Sequence, residues 1–172
     1  IDCHIGSQLI DVEPFRHAKQ KLRELILQLK DVGIELKYID VGGGLGIRYK
    51  DEVTIDPKDY AAAILESVGD LGCKIILEPG RFLVGNSGAF VTEVLYTKKN
   101  SYEKHFTIVD GAFNDFLRPV LYQAYHEVLP VKKSNDEEIL TDIVGPICET
   151  TDTFAKSMSL QPFSPGDLLI MM

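Results

Sequence analysis

Three short apolar runs each end in polar residues or glycines, at His4, Asp40 and Glu78, and these ends are spaced by 36 and 38 residues. Between them lie two stretches with helical periodicity. In the first, Asp11-Val-Glu-Pro14 is a start signal, Phe15, Ala18, Leu22, Leu25, Ile26 and Leu29 form one apolar face, and Gly33 is the stop. In the second, Asp56-Pro57 suits an N-cap and first turn, and Tyr60, Ala61, Ile64, Leu65, Val68 and Leu71 form the stripe. Strands are expected in the first residues up to His4, at 35–41 and at 73–77. Strand and helix alternating at this interval predict βα units on a parallel sheet, either an open doubly wound sheet or part of a (β/α)8 barrel. Both architectures place the ligand at the carboxyl ends of the strands.

The second of these ends carries four glycines within five positions, Gly42-Gly43-Gly44-Leu45-Gly46. Bare backbone N–H groups with no Cβ in the way can cradle a phosphate, and a glycine-rich turn with no ligand is the alternative. No Gly-Lys-Ser/Thr follows, the glycines miss the G-x-G-x-x-G spacing, and the polar loop from Arg48 to Asp56 stands where a Rossmann helix would begin. The neighbouring ends favour a ligand. Together they supply His4, Ser7, backbone N–H groups, Glu78 and Arg81 around one point.

After Arg81 the texture changes to β-rich runs at 89–96, 105–109, 139–144 and 168–172, separated by Asn, Gly, Ser and Pro clusters. A second, antiparallel β domain is therefore expected from about Phe82, giving a division into 1–82 and 83–172. The chain opens on a strand without Met and closes on another, so it is expected to be an internal segment of a longer protein. Its net charge of −8 and lack of a basic run argue against nucleic acid or an anionic membrane surface as partner. No apolar stretch is long enough to span a bilayer. Cys3, Cys73 and Cys148 are odd in number and far apart, which suits a reducing, cytoplasmic setting and not a disulfide framework. No His, Cys or carboxylate cluster has metal-ligand spacing, so no metal site is predicted.

Four separated motifs, His4-Ile-Gly-Ser7, Gly42-Gly-Gly44, Glu78-Pro-Gly-Arg81 and Gly145-Pro-Ile-Cys-Glu149, resemble in content and order those of the fold type III, alanine-racemase-like decarboxylases that use pyridoxal phosphate. The likeness is greatest to the branch acting on diaminopimelate. It implies the last βα units of a (β/α)8 TIM barrel, residues 1–82, followed by the first part of the C-terminal β domain, residues 83–172. It also implies that His4 stacks on the pyridine ring, that Ser7 and the Gly43 and Gly44 backbone hold the phosphate, and that Glu78 pairs with the ring nitrogen. Pro79, Gly80 and Arg81 then line the cofactor, Arg81 also reaching substrate. Arg118 and Tyr122 match the pattern that grips the substrate's distal carboxylate, and Glu149 the pattern for its distal ammonium. Cys148 matches the proposed proton donor. Relatives acting on ornithine or arginine usually carry Asp after this Cys, so Cys148-Glu149 favours conversion of meso-2,6-diaminopimelate to L-lysine, the last step of lysine biosynthesis. The resemblance further implies a homodimer whose active sites are shared across subunits, and a Schiff-base lysine upstream of Ile1.

Each residue also has a plainer reading. His4 suits a satisfied core histidine, Ser7 a turn, Glu78 with Arg81 a structural ion pair, and Cys148 a small buried hydrophobe. The other functional classes are an ornithine- or arginine-type decarboxylase, a decarboxylase-like binding protein that has lost its chemistry, and a phosphate-binding barrel enzyme without pyridoxal.

Overall fold

The computed structural model describes residues 1–172. They form two compact units, Ile1–Ser87 and Gly88–Met172. The short helix that contains Phe82 belongs to the first unit.

The first unit runs α1 (Glu13–Asp31), β1 (Tyr38–Asp40), α2 (Pro57–Val68), β2 (Lys74–Ile76) and α3 (Gly80–Val84). Strands β1 and β2 pair in parallel with Ile39 opposite Ile75, so the βα reading holds. The unit closes no barrel: its sheet has two strands. The run before His4 is reduced from the expected strand to a parallel bridge between Asp2 and Asp40, with a second bridge from Leu9 to Leu45. A bend at Gly6, φ +131°, separates the two and interrupts the ladder. Asp56 caps α2 as expected, its Oδ1 accepting from the Lys58 N–H at 2.7 Å. On α1 the Asp11 carboxylate accepts from the Glu13 N–H at 3.0 Å. The core gathers Phe15, Leu22, Ile26, Ile39, Val41, Tyr60, Ile64 and Val68. Three stripe expectations are corrected. Leu25, Ala61 and Leu65 face solvent, Leu25 and Leu65 being 43% and 60% exposed, while Lys19 and Ala63 are buried in the faces concerned. No helix of the chain is long and apolar enough to cross a membrane.

The second unit contains β3 (Phe90–Lys99), β4 (His105–Val109), α4 (Arg118–Tyr122), β5 (Val128–Pro130), β6 (Ile139–Val144), β7 (Thr153–Leu160) and β8 (Leu168–Met171). They make one six-stranded sheet in the order β5-β8-β3-β4-β6-β7. The expected all-antiparallel sheet is corrected at one place: β4 and β6 pair in parallel, with His105 opposite Thr141. The long connection between them, which holds α4 and β5, gives the chain room for the crossover a parallel pair needs. Strand β3 serves two neighbours, pairing β8 with its first half and β4 with its second. Its register shifts between Val94 and Tyr96, where the partner changes. Val94, Val109, Val128, Ile143, Phe154, Leu160, Leu169 and Met171 form the core.

Candidate functional site

The strand ends of the first unit converge as the spacing predicts. Gly42 and Gly44 both have positive φ, +69° and +103°. The Gly42 N–H donates to Asp40 Oδ1 at 2.9 Å, which turns the chain sharply at the end of β1. Close approach explains the glycines as much as φ does. A Cβ on Gly43 would stand 2.0 Å from the Glu78 carbonyl oxygen, and one on Gly44 2.5 Å from that of Gly6. His4 Nδ1 accepts from the Gly43 N–H at 3.3 Å, so the neutral imidazole carries its proton on Nε2. The Gly44 N–H donates to no group of the chain. Glu78 donates its own N–H to Gly42 O at 3.0 Å, which sets its exposed side chain beside the loop. Ser7 is exposed, and Pro79 and Arg81 are half-buried.

Gln8, which sequence reasoning missed, ties this cluster together. Its amide bonds the backbone of Ile47 in both directions, at 2.6 and 3.1 Å, and its Oε1 also accepts from Arg81 Nη1 at 3.2 Å. The Arg81 guanidinium lies over the Tyr49 ring, 5.9 Å from its centre. Asp2, Asp40 and Glu78 each bring a carboxylate oxygen within 4.8 Å of the others, a grouping hidden in sequence because the three belong to different segments.

In the second unit, Arg118 and Tyr122 lie four residues apart on α4 and so share a face. Arg118 Nη1 meets His126 Nε2 at 3.3 Å, and His126 Nδ1 meets Met172 O at 2.7 Å. A guanidinium only donates, so Nε2 accepts and the ring proton sits on Nδ1. Phe116 stands edge-on to the same imidazole, centroids 4.6 Å apart. Cys148 and Glu149 are exposed on the loop between β6 and β7. A hydrogen bond from the Thr150 hydroxyl, then one from the Thr151 N–H, holds the Glu149 carboxyl below the usual carboxylate range.

Asp152 shapes that loop and was also missed. It is buried, its carboxylate accepts from the N–H groups of Phe113 at 2.7 Å and Ile147 at 2.8 Å, and its carbonyl accepts from the Gly145 N–H at 3.0 Å. A Cβ on Gly145 would collide with the carboxylate, which accounts for the glycine that opens the loop. A cavity of about 610 Å³ adjoins α4 and is lined by Val120, Tyr125, His126, Phe154 and Met158, and none of the predicted site residues lines it.

The sequence profile described as "Pyridoxal-dependent decarboxylase, C-terminal sheet domain" matches residues 9–172. The chain belongs to the pyridoxal-dependent decarboxylase family. It is 47% identical to the diaminopimelate decarboxylase of Helicobacter pylori over 99% of its own length and 42% of that protein's. With the diaminopimelate decarboxylase of Aquifex aeolicus the identity is 42%, over 100% of this chain and 41% of the relative. The crystal structure of the Helicobacter pylori enzyme complexed with L-lysine superposes with a TM-score of 0.89 at 46% identity, covering 98% of this chain and 41% of that one. The chain thus spans about two fifths of the length of the relatives it matches.

A pyridoxal-dependent decarboxylase must hold an anionic phosphate, and the first unit fits that demand. The left-handed turns at Gly42 and Gly44 leave the Gly44 N–H without an acceptor in the chain, a donor that an anion can take, while the glycines at 43 and 44 let the loop pack against the carbonyls of Glu78 and Gly6. Arg81 supplies a cation beside it, held by Gln8.

Proposed function

We propose that the full-length protein decarboxylates meso-2,6-diaminopimelate to L-lysine with pyridoxal phosphate, this chain carrying the last βα units of a TIM barrel and the first part of the C-terminal sheet domain. The observation that carries the reading is Glu149 beside Cys148 on one exposed loop, in a chain 47% identical to a relative named for that reaction. When bound, the cofactor supplies an electron sink for the pair left behind as carbon dioxide departs.

The chain's own residues then divide the work. The Gly43 and Gly44 backbone with Ser7 holds the phosphate, and Pro79, Gly80 and Arg81 complete its surroundings. Glu78 keeps a proton on the ring nitrogen, which deepens the sink, while His4 stacks on the ring. Arg118 with Tyr122 takes the substrate's distal carboxylate. Glu149, held ionised by its Thr150 and Thr151 bonds, takes the distal ammonium. A substrate bearing both charges leaves a desolvated group unpaired if either partner is missing. Cys148 delivers a proton to the carbon that has lost carbon dioxide. Its thiol is free and exposed, as a donor must be.

The reading includes a homodimer with the site shared across subunits, a cofactor-anchoring lysine elsewhere in the full-length protein, and a cytoplasmic setting, to which three unpaired cysteines are suited. The test is carbon dioxide release by the full-length protein with pyridoxal phosphate, offered meso-diaminopimelate, ornithine and arginine separately. Release from diaminopimelate alone is expected. Release only from the basic amino acids would overturn the substrate while keeping the cofactor, and no release from any would favour the binding-protein reading.

A further inference from the structure

Two sheet ladders break at the same level in the first unit, and one side chain catches both loose ends. In a parallel ladder, a residue's N–H and C=O bond to the residues flanking its partner. Asp40 obeys this with the first segment, its N–H donating to Ile1 O at 2.8 Å and its carbonyl accepting from the Cys3 N–H at 3.1 Å. The next rung would run from the Gly42 N–H to Cys3 O. That N–H goes to Asp40 Oδ1 instead, so Cys3 O loses its ladder donor. The other edge of β1 repeats the event. With Ile39 opposite Ile75 and the Val41 N–H on Ile76 O at 3.1 Å, the regular rung would bring the Glu78 N–H to Val41 O. The Glu78 N–H bonds Gly42 O, one residue on. Both breaks follow from the left-handed turn at Gly42.

Lys19 takes up both carbonyls. It sits on α1 with 1% of its surface exposed, and its Nζ donates to Val41 O and, at 3.3 Å, to Cys3 O. These are the carbonyls immediately before Gly42 and His4. The rest of the face is apolar, Phe15 and Leu22 lying on either side in sequence, and an apolar residue at 19 would leave both acceptors buried and unpaired. Burial pushes the Lys19 amine below its ordinary value, and the nearby Cys3, Asp2 and Asp40 oppose that shift.

We propose that Lys19 is a positioning residue for the cofactor site: by bonding the carbonyls ahead of His4 and Gly42 together, it fixes the spacing of the two chain ends that receive the phosphate. The proposal rests on the pyridoxal phosphate reading above. The hydrogen bond between Gly43 and His4 depends on that spacing, as does the entry geometry of the glycine cradle.

The experiment titrates the full-length apoprotein with pyridoxal phosphate, following absorbance, as wild type, Lys19→Met, Lys19→Gln and Leu22→Ala. Leu22 is a core residue of the same helix with no polar atom to offer, so it controls for a helix that is merely loosened. Lys19→Met is expected to weaken cofactor binding at least tenfold, and Lys19→Gln, which keeps a donor, by less. Leu22→Ala is expected to lower the unfolding midpoint while leaving cofactor binding within twofold of wild type. At saturating cofactor, the substrate KM of Lys19→Met stays within twofold of wild type. Cofactor binding by Lys19→Met within twofold of wild type, or equal weakening by Leu22→Ala, overturns the proposal. Should Lys19→Met not accumulate as folded protein, Lys19→Gln is judged by the same twofold limit. A folded wild type that binds no pyridoxal phosphate overturns the cofactor reading itself, and is distinguished by that from a failure of Lys19 alone.

Discussion

Replacing Asp152 with alanine removes the acceptor from two part-buried N–H groups, those of Phe113 and Ile147. A fully buried donor left without a partner costs about 1–3 kcal/mol, and for part-buried groups the lower end applies, so the pair is worth about 2 kcal/mol before relaxation. Water reaching the freed N–H groups recovers part of this, which leaves about 1.4 kcal/mol of local stability lost. The loss is confined to the loop carrying Cys148 and Glu149 and to the loop after β4, so a local probe suits it better than global unfolding. Hydrogen exchange of the full-length protein, read by mass spectrometry on peptides covering residues 111–116 and 145–151, should be about tenfold faster in Asp152→Ala. Asp152→Asn retains one acceptor oxygen and should lose protection at one of the two loops only. Exchange of both peptides within threefold of wild type in Asp152→Ala would refute the view that this carboxylate holds the loops together.

Two further outcomes follow from buried and hydrogen-bonded groups. The Tyr60 hydroxyl is buried with no partner, its ring packs edge-on against Phe15 with centroids 4.9 Å apart, and burial pushes the phenol's pKa up. Tyr60→Phe keeps the packing and removes the orphaned atom, so urea denaturation should show stability unchanged or raised by about 1 kcal/mol, and a loss of that size would count against it. Asp110 accepts from the Thr92 hydroxyl and, at 2.8 Å, from the Glu93 N–H, which holds its carboxyl below the ordinary value. With the folded pKa depressed, its contribution to stability is present above the unfolded value of about 3.9 and fades as pH falls from there through the folded pKa. Asp110→Asn should therefore lower stability at neutral pH and flatten the acid limb of the stability curve below about pH 4. Parallel curves for the two proteins would reject this assignment.

How much of this was legible in sequence depends on whether local pattern or remote pairing decides an element. Both long helices were, because Asp56-Pro57 and Glu13-Pro14 start them locally and their stripes are set by periodicity. The strand pairing of the second unit was not. Strand β7 mixes Phe154 and Leu160 with Lys156, Ser157 and Ser159, so no clean alternation marks it, and β5 is three residues long. The parallel pairing of β4 and β6 is a property of the crossover between them and leaves no trace in either strand's residues.

The candidate site divides along the same line, and the division explains which residues were missed. His4, the glycines, Glu78 and Arg81 all stand at strand ends, where sequence spacing alone brings residues together, and the structure places them around one loop. Lys19, Gln8 and Asp152 act on backbone atoms belonging to other segments, so their partners exist only after the chain has folded. A single signal was available for one of them. A lysine four residues after Phe15 and three before Leu22 interrupts an otherwise apolar face, and a buried ammonium there requires acceptors that no neighbouring helix residue supplies. Those acceptors are the carbonyls that a glycine turn takes out of the ladder. A strand that ends in a left-handed glycine facing a ligand thus needs a donor from behind the sheet, and the polar break in the helix stripe marks where that donor stands.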